Sequence, residues 1–181
     1  TQRAICMNFL NKIDILERKN TIIIASSHEN DDKVVIPPLI KILNLYPVWN
    51  VLYVPHDLDP KPIENIKNQF NKGGIKPVLH TGNHKDIPNQ KVTIIRSIGL
   101  LANLYWMSKI SYVGGGFSTG IHNLMEPAIA KLPIILGPRN QNAPEAEQLI
   151  NNRGGFLIQN SNEFFLILDE LIKDEKRMIR A

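Results

Sequence analysis

Ser111-Tyr112-Val113-Gly114-Gly115-Gly116-Phe117-Ser118-Thr119-Gly120-Ile121-His122-Asn123-Leu124-Met125-Glu126-Pro127-Ala128 reads as a short apolar strand, three consecutive glycines, a polar loop closed by a fourth, and a segment patterned as a helix. Successive glycines leave backbone N–H groups uncovered, and a helix starting beyond them adds partial positive charge, so the stretch has the makings of a phosphate seat. The spacing is neither GxGxxG nor GxxxxGK[ST], which excludes the two commonest nucleotide fingerprints. A tight strand-to-helix turn without a ligand has the same glycine content, and both readings stand at this level.

Upstream, the same grammar repeats. Thr21-Ile22-Ile23-Ile24-Ala25 is a β-branched run suited to a strand buried on both faces. Ser26 to Asp32 follows as a loop rich in cap residues and acids, then a helical pattern through Val35, Leu39, Ile42 and Leu43, with Pro37-Pro38 expected near its start. Further strands are predicted at Trp49 to Val54, Lys76 to His80, Val92 to Ile95 and Ile110 to Val113, with helices at Ile63 to Phe70 and Gly99 to Ser108. Downstream come a helix from about His122 to Lys131, strands Pro133 to Leu136 and Phe156 to Ile158, a helix Glu145 to Asn151, and a closing helix behind Ser161-Asn162-Glu163.

Six or seven short strands alternating with helices predict a doubly wound, mostly parallel, Rossmann-like α/β sheet. In such sheets ligands bind beyond the carboxyl ends of the strands. Ser26 to Asn30, Pro55 to Asp57, Ser97 to Gly99, Gly114 to Asn123 and Gly137 to Asn142 all follow strands and should share that edge. His56, fixed behind Pro55, is a candidate donor toward a phosphate. Glu126 is a candidate acceptor for sugar hydroxyls, and bare backbone at Gly99 would let a flat base approach. His28, His56 and His122 fall on the same predicted edge, but no two have a ligand spacing such as HxxxH on one helix, so no metal and no cofactor are expected.

The 181 residues are 43% hydrophobic, enough for one domain with a proper core. Twenty-one Lys+Arg against 17 Asp+Glu leave a net charge of +4, which suits anionic ligands or an anionic membrane surface. The basic residues are scattered with no aromatic interleaving, which disfavours nucleic acid. One cysteine, Cys6, excludes an intramolecular disulfide. No run approaches the ~20 apolar residues of a membrane span. Thr1 is not an initiator methionine, and Arg3 to Lys19 reads as an amphipathic helix. Residues 1–20 are therefore expected to link or pack against the domain formed by 21–181, in a chain cut from a longer protein.

Several motifs together resemble one family. Ile98-Gly99-Leu100-Leu101, Leu104-Tyr105, Tyr112 to Phe117, Gly120-Ile121-His122-Asn123-Leu124-Met125-Glu126-Pro127-Ala128 and Leu132 to Pro138 occur in the order and spacing of the carboxyl-terminal domain of 3-deoxy-D-manno-octulosonic acid (Kdo) transferases. The three glycines with Gly-Ile-His-Asn are similar to the Bacteroidetes-like branch. The resemblance implies the donor-binding half of a two-domain GT-B glycosyltransferase of lipopolysaccharide synthesis. Such enzymes move Kdo from CMP-Kdo to the lipid A precursor at the cytoplasmic face of the inner membrane. The acceptor domain, the catalytic carboxylate and the membrane-facing surface would lie outside this chain. Carried over by position, the loop Gly114, Gly115, Gly116 with Asn123 at the helix start would take the CMP phosphate with His56 nearby, and Gly120 and His122 would belong to the same donor-binding site. Glu126 would take the ribose, and Ile98 with Gly99 would border the cytosine. Ser27-His28-Glu29-Asn30, Arg96 and Ala143-Pro144-Glu145 depart from the family pattern. A UDP-sugar GT-B transferase or epimerase, and a noncatalytic nucleotide-binding module, are the alternatives on the same scaffold.

Overall fold

The computed structural model describes residues 15–181. Most of the helix expected from Arg3, and Cys6, lie outside these residues. Of that segment Ile15–Glu17 form a 3-10 turn, and Ile15 is buried against the sheet.

Seven strands form one parallel sheet: β1 (Thr21–Ser27), β2 (Asn50–Pro55), β3 (Val78–His80), β4 (Val92–Ile95), β5 (Ile110–Val113), β6 (Ile134–Leu136) and β7 (Gly155–Leu157). Their spatial order is β3-β4-β2-β1-β5-β6-β7, and every pairing is parallel. The helices are α1 (Glu29–Leu45), α2 (Pro60–Lys72), α3 (Leu101–Trp106), α4 (Met125–Ile129), α5 (Pro144–Asn151), α6 (Ser161–Lys173) and α7 (Glu175–Arg180). The predicted doubly wound, Rossmann-like fold is what forms.

The apolar runs are continuous because both faces of each central strand are covered. Ile22, Ile24, Val51, Tyr53, Ile94 and Tyr112 point into a core shared with α1, α2 and α6. Ile23, Ala25, Leu52, Val54 and Ile95 point the other way, against Leu104, Tyr105 and Leu132. Each buried Val, Ile or Leu side chain among them contributes about 1.5–3 kcal/mol. Strand order reverses between β1 and β5, so the loops leaving their carboxyl ends diverge and open a crevice there.

Three elements differ from their sequence reading. Helix α1 begins at Glu29 rather than past the acids, so Pro37 and Pro38 sit in its interior. Their missing N–H groups leave the carbonyls of Lys33 and Val34 without a helical donor. Burial of Val35, Ile36, Leu39, Ile42 and Leu43 outweighs that loss. The helix expected from His122 is only Met125–Ile129. The Asn142 side chain pins the preceding turn, accepting the Ile121 N–H at 3.0 Å and donating to the Ile121 carbonyl at 2.8 Å. Finally, the closing helix is capped by Asn160, which accepts the Glu163 N–H at 3.0 Å, and a further short helix, α7, follows it.

Candidate functional site

The crevice at the β1/β5 switch point is built from three loops. The first leaves β1, whose last residues bend out through Ser26 (φ 52°), and places His28 at the amino end of α1. The second leaves β2. There the His56 N–H donates to the Ser27 carbonyl at 2.9 Å, which ties the two loops together. The third leaves β5 through the glycines. The Gly114 N–H extends the ladder to the Ala25 carbonyl at 2.8 Å, and the Gly116 carbonyl accepts the Arg139 N–H at 2.9 Å.

The glycine loop is filled by the protein itself, which corrects the sequence-level picture of uncovered amides. Asp31, in the first turn of α1 and fully buried, accepts the Gly115 N–H at 2.9 Å, the Tyr112 hydroxyl at 2.7 Å and the Phe117 N–H at 3.3 Å. It also accepts its own helix's first amide, that of His28, at 2.9 Å. What sits on these amides is a carboxyl group of the chain itself. The glycines are required for close approach: Gly115 has φ 93° and a side chain there would strike the Gly120 carbonyl. Gly120, with φ 113°, lies under the Asn142 side chain.

What faces the crevice instead is a histidine cluster. His28 and His122 are half-buried and His56 is exposed. The His28 and His122 Nε2 atoms lie 2.9 Å apart, so one ring donates and the other accepts, with complementary tautomers. The His56 ring centroid is 4.3 Å from that of His28 and 4.7 Å from that of His122. Burial, followed by the neighbouring His56, pushes the His28 pKa down, and nearby Asp31 and Asp57 oppose this. Burial, then His56 and His28, lowers that of His122. Both rings are thereby held toward the neutral form. Linear spacing could not show this cluster, because the three residues come from three separate strand ends.

The remaining predicted residues take the positions their loops allow. Asn123 is exposed, and its Oδ1 accepts the Met125 N–H at 2.8 Å, closing the turn into α4. Glu126 is half-buried in the first turn of α4 and raises the pKa of buried Tyr105, although burial of that tyrosine contributes more. Ile98 is 90% exposed, and Gly99 beside it has open space around its Cα. With only five residues in α4, its dipole is weak. Beside His28, a cleft of about 680 Å³ opens between α1 and α2, with Lys33, Lys61 and Lys72 on its walls.

Asp32, missed from sequence, packs below this cleft. The Tyr53 hydroxyl donates to its Oδ1 at 2.5 Å. Burial raises its pKa from 3.8 to about 6, against the lowering effect of that hydrogen bond. The run of acids marked a helix start; it did not show which of them points inward.

No family profile matches the chain. It is 23% identical over 158 residues to the 3-deoxy-D-manno-octulosonic acid transferase of Rickettsia prowazekii, a match covering 87% of this chain and 34% of that protein. It is 28% identical over 166 residues to the transferase of the same name from Aquifex aeolicus, covering 90% of this chain and 45% of that one. The chain thus spans about a third to a half of these relatives' length. Among solved structures, the C-terminal CMP-Kdo binding domain of WaaA from Acinetobacter baumannii superimposes with a TM-score of 0.72 at 19% identity, over 98% of this chain and 96% of that domain. The motif resemblance therefore extends over most of the chain: its sequence relatives include 3-deoxy-D-manno-octulosonic acid transferases, and it shares the fold of the C-terminal CMP-Kdo binding domain of WaaA.

Proposed function

We propose that this chain is the donor-holding half of a Kdo transferase, binding CMP-Kdo in the crevice between the carboxyl ends of β1 and β5. The observation that carries the reading is the convergence there of the loops bearing His28, His56 and His122, in a chain whose sequence relatives are named for Kdo transfer. The donor's phosphate would face the imidazoles of His56 and His122 and the turn from Gly116 to Asn123. It would not face the amides of Gly115 and Phe117, which Asp31 occupies. Glu126 would accept from the ribose hydroxyls, and the exposed Ile98 with Gly99 would border the cytosine.

Transfer joins an acceptor hydroxyl oxygen to the anomeric carbon of Kdo as its bond to the phosphate oxygen breaks and CMP leaves. A carboxylate elsewhere in a longer protein would take the hydroxyl proton. Imidazole N–H groups at this edge would stabilise charge growing on the departing phosphate. The acceptor half, the lipid A precursor site and the contact with the inner membrane at its cytoplasmic face would belong to that other part. Among the described residues no helix is long and apolar enough to cross a membrane.

Calorimetric titration of the chain with CMP tests the reading, with UMP and UDP as competitors. CMP is expected to bind, and Glu126→Ala to weaken it about tenfold, the loss of one or two hydrogen bonds at ~1.4 kcal/mol. Preference for UDP would favour the UDP-sugar alternative. Indifference to the substitution would remove Glu126 from the site.

A further inference from the structure

We infer that His28, His56 and His122 form a site for a divalent transition-metal ion of the zinc class. One ligand nitrogen from each ring lies within 4.8 Å of the other two, and the closest pair is 2.9 Å apart. Three imidazoles bound at ~2.0–2.1 Å to one tetrahedral ion have nitrogens about 3.3 Å apart. The closest pair must open by a few tenths of an ångström and the widest must close by about 1.5 Å. The exposed His56 ring can supply the larger movement by side-chain rotation, since its backbone alone is tied, through its N–H, to Ser27.

The other two ligands stand on fixed backbone. The His28 N–H is held by buried Asp31, and the His122 N–H reaches the Gly114 carbonyl at 3.3 Å. Among the described residues no carboxylate hydrogen-bonds to any of the three rings, and the Nε2 atoms of His28 and His122 meet each other at 2.9 Å. Three neutral nitrogen ligands suit zinc, cobalt or nickel and not the oxygen-seeking magnesium or calcium. They leave the ion its full charge and an open fourth position toward the crevice, the arrangement of a site that takes a water or an anionic oxygen. The inference does not rest on the donor reading, because the ligands are complete without a nucleotide.

The test uses the tag-free chain, stripped with a chelator and titrated with Co2+ in the absence of nucleotide. One Co2+ per chain is expected, with the intense visible absorption of a four-coordinate ion, displaced by one equivalent of Zn2+. His56→Ala and His122→Ala should each weaken binding by at least about a hundredfold, since even outer partners of a ligand are worth 10–100-fold. His84→Ala, outside the cluster, should bind as the parent does. Circular dichroism monitors folding; should His122→Ala fail to fold, the exposed His56 decides. Absence of stoichiometric binding, parent-like affinity in His56→Ala, or equal loss in His84→Ala would overturn the assignment. Each result is read without CMP, so it is separate from the fate of the donor hypothesis.

Discussion

Replacing Asp32 by Asn isolates a burial penalty built in below the cleft between α1 and α2. Asp32 is 6% exposed, and its carboxyl is moved from 3.8 to about 6 chiefly by burial. At ~1.36 kcal/mol per pKa unit, a shift of about two units means that ionising it in the fold costs about 3 kcal/mol more than in the unfolded chain. The folded value is raised, so the stabilising contribution is complete below pH 3.8 and is lost as pH rises through about 6. Asn keeps an oxygen for the Tyr53 hydroxyl and carries no charge, so it escapes the loss. Urea unfolding of parent and Asp32→Asn chains, both metal-free, at pH ~4 and ~7 is the assay. Between those values the variant should gain about 2–3 kcal/mol relative to the parent, as the unfolded carboxyl is already half-ionised at the lower one. Differences other groups make with pH cancel in the comparison. Parallel stabilities, within ~0.5 kcal/mol at both pH values, would refute the claim that Asp32 ionises against burial.

Two further substitutions probe the glycine loop. Asp31→Ala should cost about 3 kcal/mol or more in denaturant unfolding, because it strands the Tyr112 hydroxyl and the amides of Gly115 and Phe117; a loss under ~1 kcal/mol would mean the carboxylate is dispensable. Gly115→Ala should cost about 3 kcal/mol and Gly74→Ala only ~1–2 kcal/mol. Both have positive φ, 93° and 80°, but only Gly115 would also drive a Cβ into backbone. Equal losses at the two positions would show that crowding against Gly120 plays no part.

The sheet was legible because its strands are short β-branched runs, such as Thr21 to Ala25, with nothing polar between Ile22 and Ile24 to suggest a solvated face. Parallel topology followed from alternation, and with it the edge where the unusual loops gather. The occupant of the glycine loop was not legible. Asp31 precedes Gly115 by 84 residues, and only the pairing of β1 with β5 brings them together. A glycine run reports that something approaches closely, without saying whether it is a ligand or a side chain. The length of α4 was misread for a similar reason: the brake is Asn142, 21 residues beyond Ile121. Local patterns gave the elements and their edge; contacts between distant segments decided what that edge offers.

The most direct test of the central claim is a CMP titration of the isotopically labelled chain followed by backbone NMR. The account predicts shifts concentrated at His56, Ile98 and Gly99, and from Gly116 through Glu126, with the Gly115 amide still held by Asp31. Shifts confined to the cleft between α1 and α2, or none at millimolar CMP, would contradict it.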